Sequence, residues 1–250
     1  MHKRSLYFFM ENRGFIELLE SLGLVLNETQ LEQFHKYYEI LIERNKVMNL
    51  TAITEYDEVV VKHFIDSLSL VKVMEVERLK EGLSIIDVGT GAGFPGIPLK
   101  IAFPNIKVTL LDSLNKRVGF LNDVIQELGL FDISAIHGRA EDFGKDSEYR
   151  EQFDLCVSRA VAKLSSLSEY CLPFVKVKGC FIPFKAGSIE EELNEGKKAI
   201  HVLGGTFIKA ESFTLPESDI ERTLLVIEKR ERTPKIYPRS AGKPAKEPIH

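Results

Sequence analysis

The chain has 250 residues, of which 44% are apolar and 28% charged, and its net charge is −4. This composition fits one large globular domain, or one domain with a small addition. No stretch approaches the ~20 apolar residues of a membrane span, and the N-terminus lacks the cleavage site of a signal peptide. The three scattered cysteines indicate a reducing compartment. We therefore expect a cytoplasmic protein in which Cys156, Cys171 and Cys180 are core residues.

The charge is unevenly distributed along the chain. From Glu228 to His250 there are seven Lys or Arg and three Glu, so the remainder of the chain is strongly acidic. A basic end on an acidic body is typical of a local phosphate-binding surface. A merely solvated tail is the alternative.

The first eighty residues have a helical pattern. Apolar residues recur at spacings of three and four from Leu31 to Ile42, as one buried helix face requires. Asn27 or Thr29 is placed to cap this helix. The region 1–80 is too apolar to stand alone, so we expect it to pack on the domain that follows. The first ~15 residues are assigned no role.

From Leu83 onward the pattern changes to alternating strands and helices. Apolar strands separated by helices predict an α/β, Rossmann-like, doubly wound sheet that is mostly parallel. A strand near 206–213 beside the C-terminal strand 223–228 would add an antiparallel edge. The expected organisation is a helical extension over 1–80, a core over 81–230 and a basic, proline-rich arm over 231–250. The predicted strands cover 84–88, 107–111, 133–136, 153–157, 180–184 and 224–228, and the predicted core helices cover 98–102, 115–128, 161–170 and 189–199.

The first strand of this core leads into a glycine-rich turn at residues 89–96. Glycines at Gly89, Gly91 and Gly93 leave the backbone bare, so a ligand can approach it closely. Gly91-x-Gly93-x-x-Gly96 satisfies the dinucleotide fingerprint. Asp87, however, is poorly placed for a pyrophosphate and well placed for a cationic amino-acid group. We therefore predict S-adenosylmethionine (SAM) as cofactor, with NAD as the alternative.

Two later strand ends carry further candidate residues. Asp112 ends the second strand, where an acid hydrogen-bonds the ribose of a bound cofactor; capping the helix that begins near Asn115 is its alternative role. After the third strand, the backbone of Ala140 and Glu141 would flank an adenine, and Arg139 would point toward substrate. An ordinary surface turn is the alternative for this segment.

The exit of the fourth strand bears on the reaction. No Asn/Asp-Pro-Pro-aromatic turn for an exocyclic amine follows it, and Cys156 lies mid-strand rather than in a loop suited to a nucleophile. The acceptor should then be a lone pair that needs no activation, such as guanine N7. Such a transfer requires orientation rather than a general base. Arg159 is placed near the base or its phosphate, with a structural ion pair as the alternative.

Polar residues also cluster in the helical region and in the arm. His63 and Asp66 share a helix face and follow the polar segment Asn45–Thr51. Too few ligands accompany them for a metal site. We expect a network that docks the helices onto the core, with substrate contact as the alternative. In the arm, spaced cations on an irregular backbone suit folded RNA, which predicts RNA contacts at Arg239, Lys243 and Lys246.

In order along the chain, these motifs resemble the bacterial ribosomal RNA small subunit methyltransferase G family (RsmG or GidB) from about residue 20 to the C-terminus. The motifs are Asn45-x-x-x-Asn49-Leu50-Thr51-Ala52, His63-x-x-Asp66-Ser67-Leu68, the segment 87–96, Leu111-Asp112-Ser113-x-x-Lys116-Arg117, Ser158-Arg159-Ala160-Val161-Ala162 and Arg239-x-x-Gly242-x-Pro244-x-Lys246-x-Pro248.

The resemblance implies SAM-dependent methylation of guanine N7 in the decoding-region loop of bacterial 16S rRNA, without a metal. The implied partner is 16S rRNA or a small ribosomal subunit precursor, and we expect a monomer. Many relatives have Trp where this chain has Arg44, so no stacking role is expected there. An NAD-dependent oxidoreductase and a catalytically silent RNA-binding protein remain the alternatives. The implied cofactor contacts are Gly89, Phe94, Asp112, Ser113, Leu114, Ala140, Glu141 and Arg159.

Overall fold

A computed structural model describes residues 13–160, 162–187 and 189–250. It contains a seven-stranded sheet in the order β3-β2-β1-β4-β5-β7-β6. Strands β1 to β5 are parallel, β7 is antiparallel to β5, and β6 is antiparallel to β7. The predicted doubly wound sheet with an antiparallel edge is confirmed. The strands are β1 (Ser84–Val88), β2 (Lys107–Asp112), β3 (Ile133–His137), β4 (Phe153–Ser158), β5 (Val175–Ala186), β6 (Gly205–Thr214) and β7 (Glu221–Lys229).

Helices cover both faces of this sheet. A π-helical stretch, Val60–Ile65, joins α3 to α4, and 3-10 turns cover Ser69–Lys72 and Leu172–Phe174. The helix predicted over 161–170 begins later, at Leu164, and Val161 lies outside the described residues. The helices are α1 (Arg13–Ser21), α2 (Glu28–Met48), α3 (Tyr56–Val59), α4 (Asp66–Leu68), α5 (Val76–Glu81), α6 (Gly96–Ala102), α7 (Asn115–Glu127), α8 (Ala140–Phe143), α9 (Leu164–Cys171), α10 (Glu190–Val202) and α11 (Lys243–Lys246).

The central strands are apolar on both sides because each side of the sheet is covered. In β1, Ile85 belongs to one hydrophobic cluster and the next residue, Ile86, to the other. Successive side chains of a strand point to opposite faces, so an uninterrupted apolar run fills two cores at once. Cys156 and Cys171 are buried and Cys180 is partly buried. Within the described residues, no helix has the length and apolar character of a membrane span.

One face of the sheet is covered by the N-terminal helical layer, residues 13–81. Asn27 caps α2 and forms a capping box with Gln30, which satisfies the first free backbone N–H groups of the helix. The Gln30 amide also donates to the carbonyls of Ile101 and Ala102 on α6. This layer shares one hydrophobic cluster with the sheet, so the expected packing of the helices on the core is confirmed.

The other face is covered by α9, α10 and the arm, residues 231–250. The Arg150 guanidinium donates to the carbonyls of Gly144, Tyr237 and Thr233 at 2.7–2.8 Å. Lys229 is fully buried and donates to the Leu172 carbonyl. The arm is therefore attached to the core largely by hydrogen bonds that core side chains donate to carbonyls of the arm backbone.

Candidate active site

The direction in which the chain progresses through the sheet reverses between β1 and β4. From β1 the chain continues to β2 and β3 on one side, whereas β4 and β5 lie on the other. In open α/β sheets, ligands bind in the crevice that this reversal creates outside the carboxyl ends of the strands. The glycine loop, residues 89–96, follows β1 and lies in this position.

The glycine loop requires glycine for conformation and for space. Gly89, Gly91 and Gly93 have φ values of 72°, 62° and 101°, a region that other residues rarely adopt. A Cβ on Gly93 would lie 2.7 Å from the Tyr37 hydroxyl and 2.5 Å from Ile97 Cδ1. Gly93 therefore allows the helical layer to pack against the back of the loop, and this is why it must be glycine.

Asp87 lies behind the glycine loop, and its predicted contact with a cationic amino-acid group stays a prediction. This carboxylate is fully buried beneath the glycine loop, where Oδ2 accepts from the Thr90 hydroxyl at 2.7 Å and from the Gly96 N–H at 2.9 Å. Desolvation by burial raises the pKa of Asp87 to about 7. Oδ1 is buried and has no hydrogen-bond partner among the described residues. Through Oδ2, Asp87 thus holds the shape of the glycine loop, while its Oδ1 remains available as a hydrogen-bond acceptor.

A cleft of about 390 Å³ opens at the switch point, and we call it the cofactor cleft. Three residues that sequence reasoning missed also line it: Tyr170 on α9, and Gly242 and Ala245 of the arm. Gly242 belongs to the arm motif quoted above, which we connect with RNA rather than with the cofactor, and no motif marks Tyr170. The predicted residues that line the cofactor cleft are Gly89, Ser113, Arg139, Ala140 and Glu141.

Asp112 lies beside this cleft, with both carboxylate oxygens occupied. Oδ2 accepts from the Gly91 N–H and Oδ1 from the Leu114 N–H, each at 2.9 Å. Leu114 is the residue before α7 and is 42% exposed. Asp112 therefore fastens the glycine loop to the segment before α7. The N-cap position itself is Leu114, without a side-chain cap, so the alternative role of Asp112 as the N-cap is wrong. Its proposed ribose contact remains a prediction.

Phe94 and Arg159 lie on the far side of the loop from the cofactor cleft. Phe94 is buried, and the His63 ring stacks on it with centroids 4.5 Å apart. The Arg159 guanidinium lies 3.3 Å from Asp66 Oδ2 and donates to the carbonyls of His63 and Lys62. The Arg159 guanidinium thus forms the structural ion pair given as its alternative role. Because Arg159 also lines the larger cleft described below, its contact with the base or its phosphate remains a prediction.

The polar cluster of the helical layer is the predicted docking network. His63 is within 2.9 Å of the Thr51 hydroxyl through Nε2, and Asp66 pairs with both Arg159 and Arg222. Burial, together with nearby cations, lowers the pKa of His63 to about 3, so the ring is neutral at physiological pH. The Asn45 amide bridges to the backbone of Thr51. These groups attach the helices to the core, which confirms the network.

The arm residues predicted to contact RNA differ in orientation. Arg239 makes hydrogen bonds of 2.6–3.1 Å to the fully buried Glu169 through its side chain. This pairing raises the pKa of Arg239. The Arg239 guanidinium thus holds the arm to α9 through Glu169, and its contact with RNA remains a prediction. Lys243 and Lys246 are exposed on α11.

A second and larger cleft, of about 840 Å³, adjoins the cofactor cleft, and we call it the wide cleft. Ala160 and Ala162 line both clefts. Its other walls come from the ends of β5 and β7, from α10 and from Asp66 of the helical layer. The two clefts thus adjoin at these two residues, at the carboxyl edge of the sheet.

Solved structures share this arrangement. The fibrillarin pre-rRNA processing protein of Methanococcus jannaschii matches 65% of this chain and 74% of its own, with a TM-score of 0.51 and 17% identity. TrmN from Thermus thermophilus matches 66% of this chain and 48% of its own, with a TM-score of 0.50 and 14% identity. These similarities define the fold class, which is Rossmann-like.

Sequence comparison narrows the class to a family. A family profile described as rRNA small subunit methyltransferase G matches residues 30–221. A protein named ribosomal RNA small subunit methyltransferase G from Lachnoclostridium phytofermentans is 56% identical, covering 96% of this chain and 98% of its own. A protein of the same name from Alkaliphilus metalliredigens is 55% identical, covering 92% and 95%. The chain belongs to this family, and the resemblance seen in the motifs is confirmed.

Proposed function

We propose that this protein transfers a methyl group from SAM to N7 of a guanine in 16S rRNA of the small ribosomal subunit. The observation that carries the proposal is the cofactor cleft at the switch point of the sheet, with the glycine loop on one wall. The family supports RNA as the substrate, because its members are named for the small-subunit rRNA that they methylate.

The residues around the cofactor cleft fit SAM in space and in charge. Its volume lies within the range of small-molecule sites. A Cβ on Gly89 would lie 3.2 Å from the Ala160 side chain, so glycine keeps this wall free. Two acids adjoin it, Glu141 in the lining and Asp87 beneath the loop with an unused oxygen. Acidic groups suit a ligand that carries an ammonium and a sulfonium. When bound, SAM supplies an electrophilic methyl group.

We propose that Gly89, Gly91, Gly93, Ser113, Leu114, Ala140 and Glu141 hold the cofactor together with Asp87 and Asp112. Gly91 and Gly93 shape the loop, while Asp87 and Asp112 fix it in place. Leu114 is exposed beside Ser113 and offers an apolar surface. No metal enters this scheme.

The chain's own contribution to the reaction is orientation. Guanine N7 carries no proton, so the acceptor needs no general base, and positioning supplies most of the rate enhancement. The side chains of Ala160 and Ala162, which border both clefts, are small. They leave a passage between the two clefts through which a donor and an acceptor can meet.

The arm is proposed to bind the RNA backbone. Lys243 and Lys246 are exposed on α11, and Gly242 and Ala245 of the same segment line the cofactor cleft. The arm therefore presents cations beside the site of reaction. Phosphate contacts of this kind set the position of a nucleic acid without reading its sequence.

Methyl transfer from labelled SAM to unmethylated small-subunit rRNA tests the proposal. We expect label in 16S rRNA, and nuclease digestion with mass spectrometry should identify N7-methylguanosine at one site. Binding of NADH in place of SAM would support the oxidoreductase alternative. Tight RNA binding that SAM does not change, without any methyl transfer, would support the alternative of a catalytically silent RNA-binding protein.

A further inference from the structure

The wide cleft has an apolar floor and a rim of mixed charge, in which two lysines pair with two glutamates of α10. Ala160, Ala162 and Phe184 supply apolar surface at its base. The wall from α10 carries Glu191, which has no hydrogen bond or ion pair among the described residues. The facing wall carries the two arginines that flank Asp66. A flat ligand with hydrogen-bond donors and acceptors along its edge suits these surfaces.

The charges of the lining balance. Two of the three α10 glutamates are paired with lysines that also line the cleft, Glu192 with Lys185 and Glu195 with Lys163. A lining without net charge favours a neutral base over a phosphodiester as the occupant. The edge of a guanine is neutral and carries both kinds of hydrogen-bonding group, with O6 as acceptor and N1–H and N2 as donors. An arginine and Glu191 in the same cleft match this edge.

Arg222 is the side chain of the wide cleft that is best placed to donate a hydrogen bond to the base. Its Nε donates to Asp66 Oδ1 at 3.1 Å and its Nη1 to the Glu221 carbonyl at 3.2 Å. Its Nη2 has no hydrogen-bond partner among the described residues. Asp66 is 1% exposed and is also paired with Arg159. Arg222 is therefore held in place by a buried carboxylate that has little freedom to move.

We propose that the wide cleft binds the acceptor guanine, turned out of its RNA stack, and that Arg222 donates a hydrogen bond to its O6. This inference rests on the proposed function and extends it to the recognition of the base. Enzymes that act on a base commonly extrude it into a pocket, where its edge is read by hydrogen bonds. The passage at Ala160 and Ala162 would bring N7, which adjoins O6 on the ring, toward the cofactor cleft.

A chemical double-mutant cycle tests the contact. The target nucleotide in the RNA is either guanosine or 2-aminopurine riboside, which lacks O6, and each RNA is methylated by the wild type and by Arg222→Gln. We expect Arg222→Gln to lower kcat/KM on guanosine RNA by about tenfold to a hundredfold, as for a lost hydrogen bond to a charged group. It should also reduce the preference for guanosine over 2-aminopurine by the same factor.

A matched arginine and a direct measure of cofactor binding complete the cycle. Arg230 lies just beyond the other end of β7 and is 58% exposed, so Arg230→Gln should keep both the rate and the preference. The affinity of Arg222→Gln for SAM, measured by calorimetry, should equal that of the wild type. If Arg222→Gln keeps the full preference for guanosine, Arg222 does not read O6 and the inference is overturned.

A second variant obstructs the cleft at Ala186, which lies opposite Arg222 in the β5–β7 ladder and takes part in no ion pair itself. Ala186 is exposed at the end of β5 and lines the wide cleft but not the cofactor cleft. Ala186→Phe should obstruct the cleft, lowering methyl transfer at least tenfold while SAM affinity is retained. Transfer at the wild-type rate would show that the base binds elsewhere. Failure of the wild type to methylate rRNA at all would instead overturn the proposed function.

Discussion

The helical layer and the arm are both additions to one Rossmann-like core, yet they are attached to it differently. Each is anchored by a buried carboxylate and arginine: Asp66 with Arg159 and Arg222 for the layer, and Glu169 with Arg239 for the arm. The layer also buries many large apolar side chains in the same cluster as the sheet. The arm relies mainly on hydrogen bonds. The two regions should therefore respond differently to loss of volume, to loss of charge and to pH.

The largest effect should follow from removing an aromatic side chain of the layer. Phe34 is fully buried between Phe15 and Phe64. Phe34→Ala should lower the free energy of unfolding by about 3–5 kcal/mol, because it creates a cavity in a packed cluster. Urea titration measures this loss, and Phe131→Ala, at a site 82% exposed, is the control. A loss below 1 kcal/mol would show that the layer is not held by apolar packing.

Breaking the anchor of the arm should have a somewhat smaller effect. Glu169→Gln leaves the Arg239 guanidinium without its counter-charge, which should cost about 3 kcal/mol, and should expose the arm to limited proteolysis while the core stays resistant. Glu195→Gln breaks an exposed pair with Lys163 and should change stability by less than about 0.5 kcal/mol. Equal protease resistance of Glu169→Gln and the wild type would contradict the role of Glu169.

Acid should weaken the layer through His63. Its pKa is about 3 when folded and about 6.5 when unfolded. Between these values the unfolded state binds the proton and the native state does not. The contribution of His63 to the free energy of unfolding is thus fully present above pH 6.5. It falls with decreasing pH, by at most about 1.4 kcal/mol per pH unit. His63→Gln should lose less stability than the wild type between pH 6.5 and 5, whereas His35→Gln, on exposed α2 surface, should follow the wild type.

The layer should also influence cofactor binding. The Tyr37 hydroxyl donates to the carbonyl of Ala92 in the glycine loop. Tyr37→Phe should cost about 1 kcal/mol and weaken SAM binding about fivefold by loosening the loop, as calorimetry would show. The neighbouring Tyr38→Phe removes a hydroxyl that contacts Thr54 instead, so it should keep wild-type SAM affinity. Equal affinities in both variants would restrict the layer to a packing role.

The smallest effect on stability is expected at the exposed lysines of the arm. Replacing Lys243 and Lys246 with Gln should leave the free energy of unfolding unchanged. It should reduce the slope of log K against log salt for RNA by about 1.4–1.8, the equivalent of two phosphate contacts. Lys197→Gln with Lys198→Gln on α10 is a matched control. An unchanged slope would show that these lysines are merely solvated.

The features that could be predicted from sequence are those with a local cause. The glycine loop, the strands and the Asn27 cap are each specified by neighbouring residues, and His63 with Asp66 lies within one helical turn. The ion-pair partners could not be predicted in this way. Arg222 lies 156 residues from Asp66, and Arg239 lies 70 residues from Glu169.

The sequence by itself determined the succession of strands and helices along the chain and the sharp turn after β1, because hydrophobic periodicity and glycine content act over a few residues. The ordered motifs indicated the family. Only the tertiary structure decided that Arg159 and Arg239 pair with buried carboxylates, that Asp87 supports the loop from below and that the arm borders the cofactor cleft. These outcomes depend on which distant charges are buried together, since a carboxylate removed from water must find a partner wherever the fold brings one within reach.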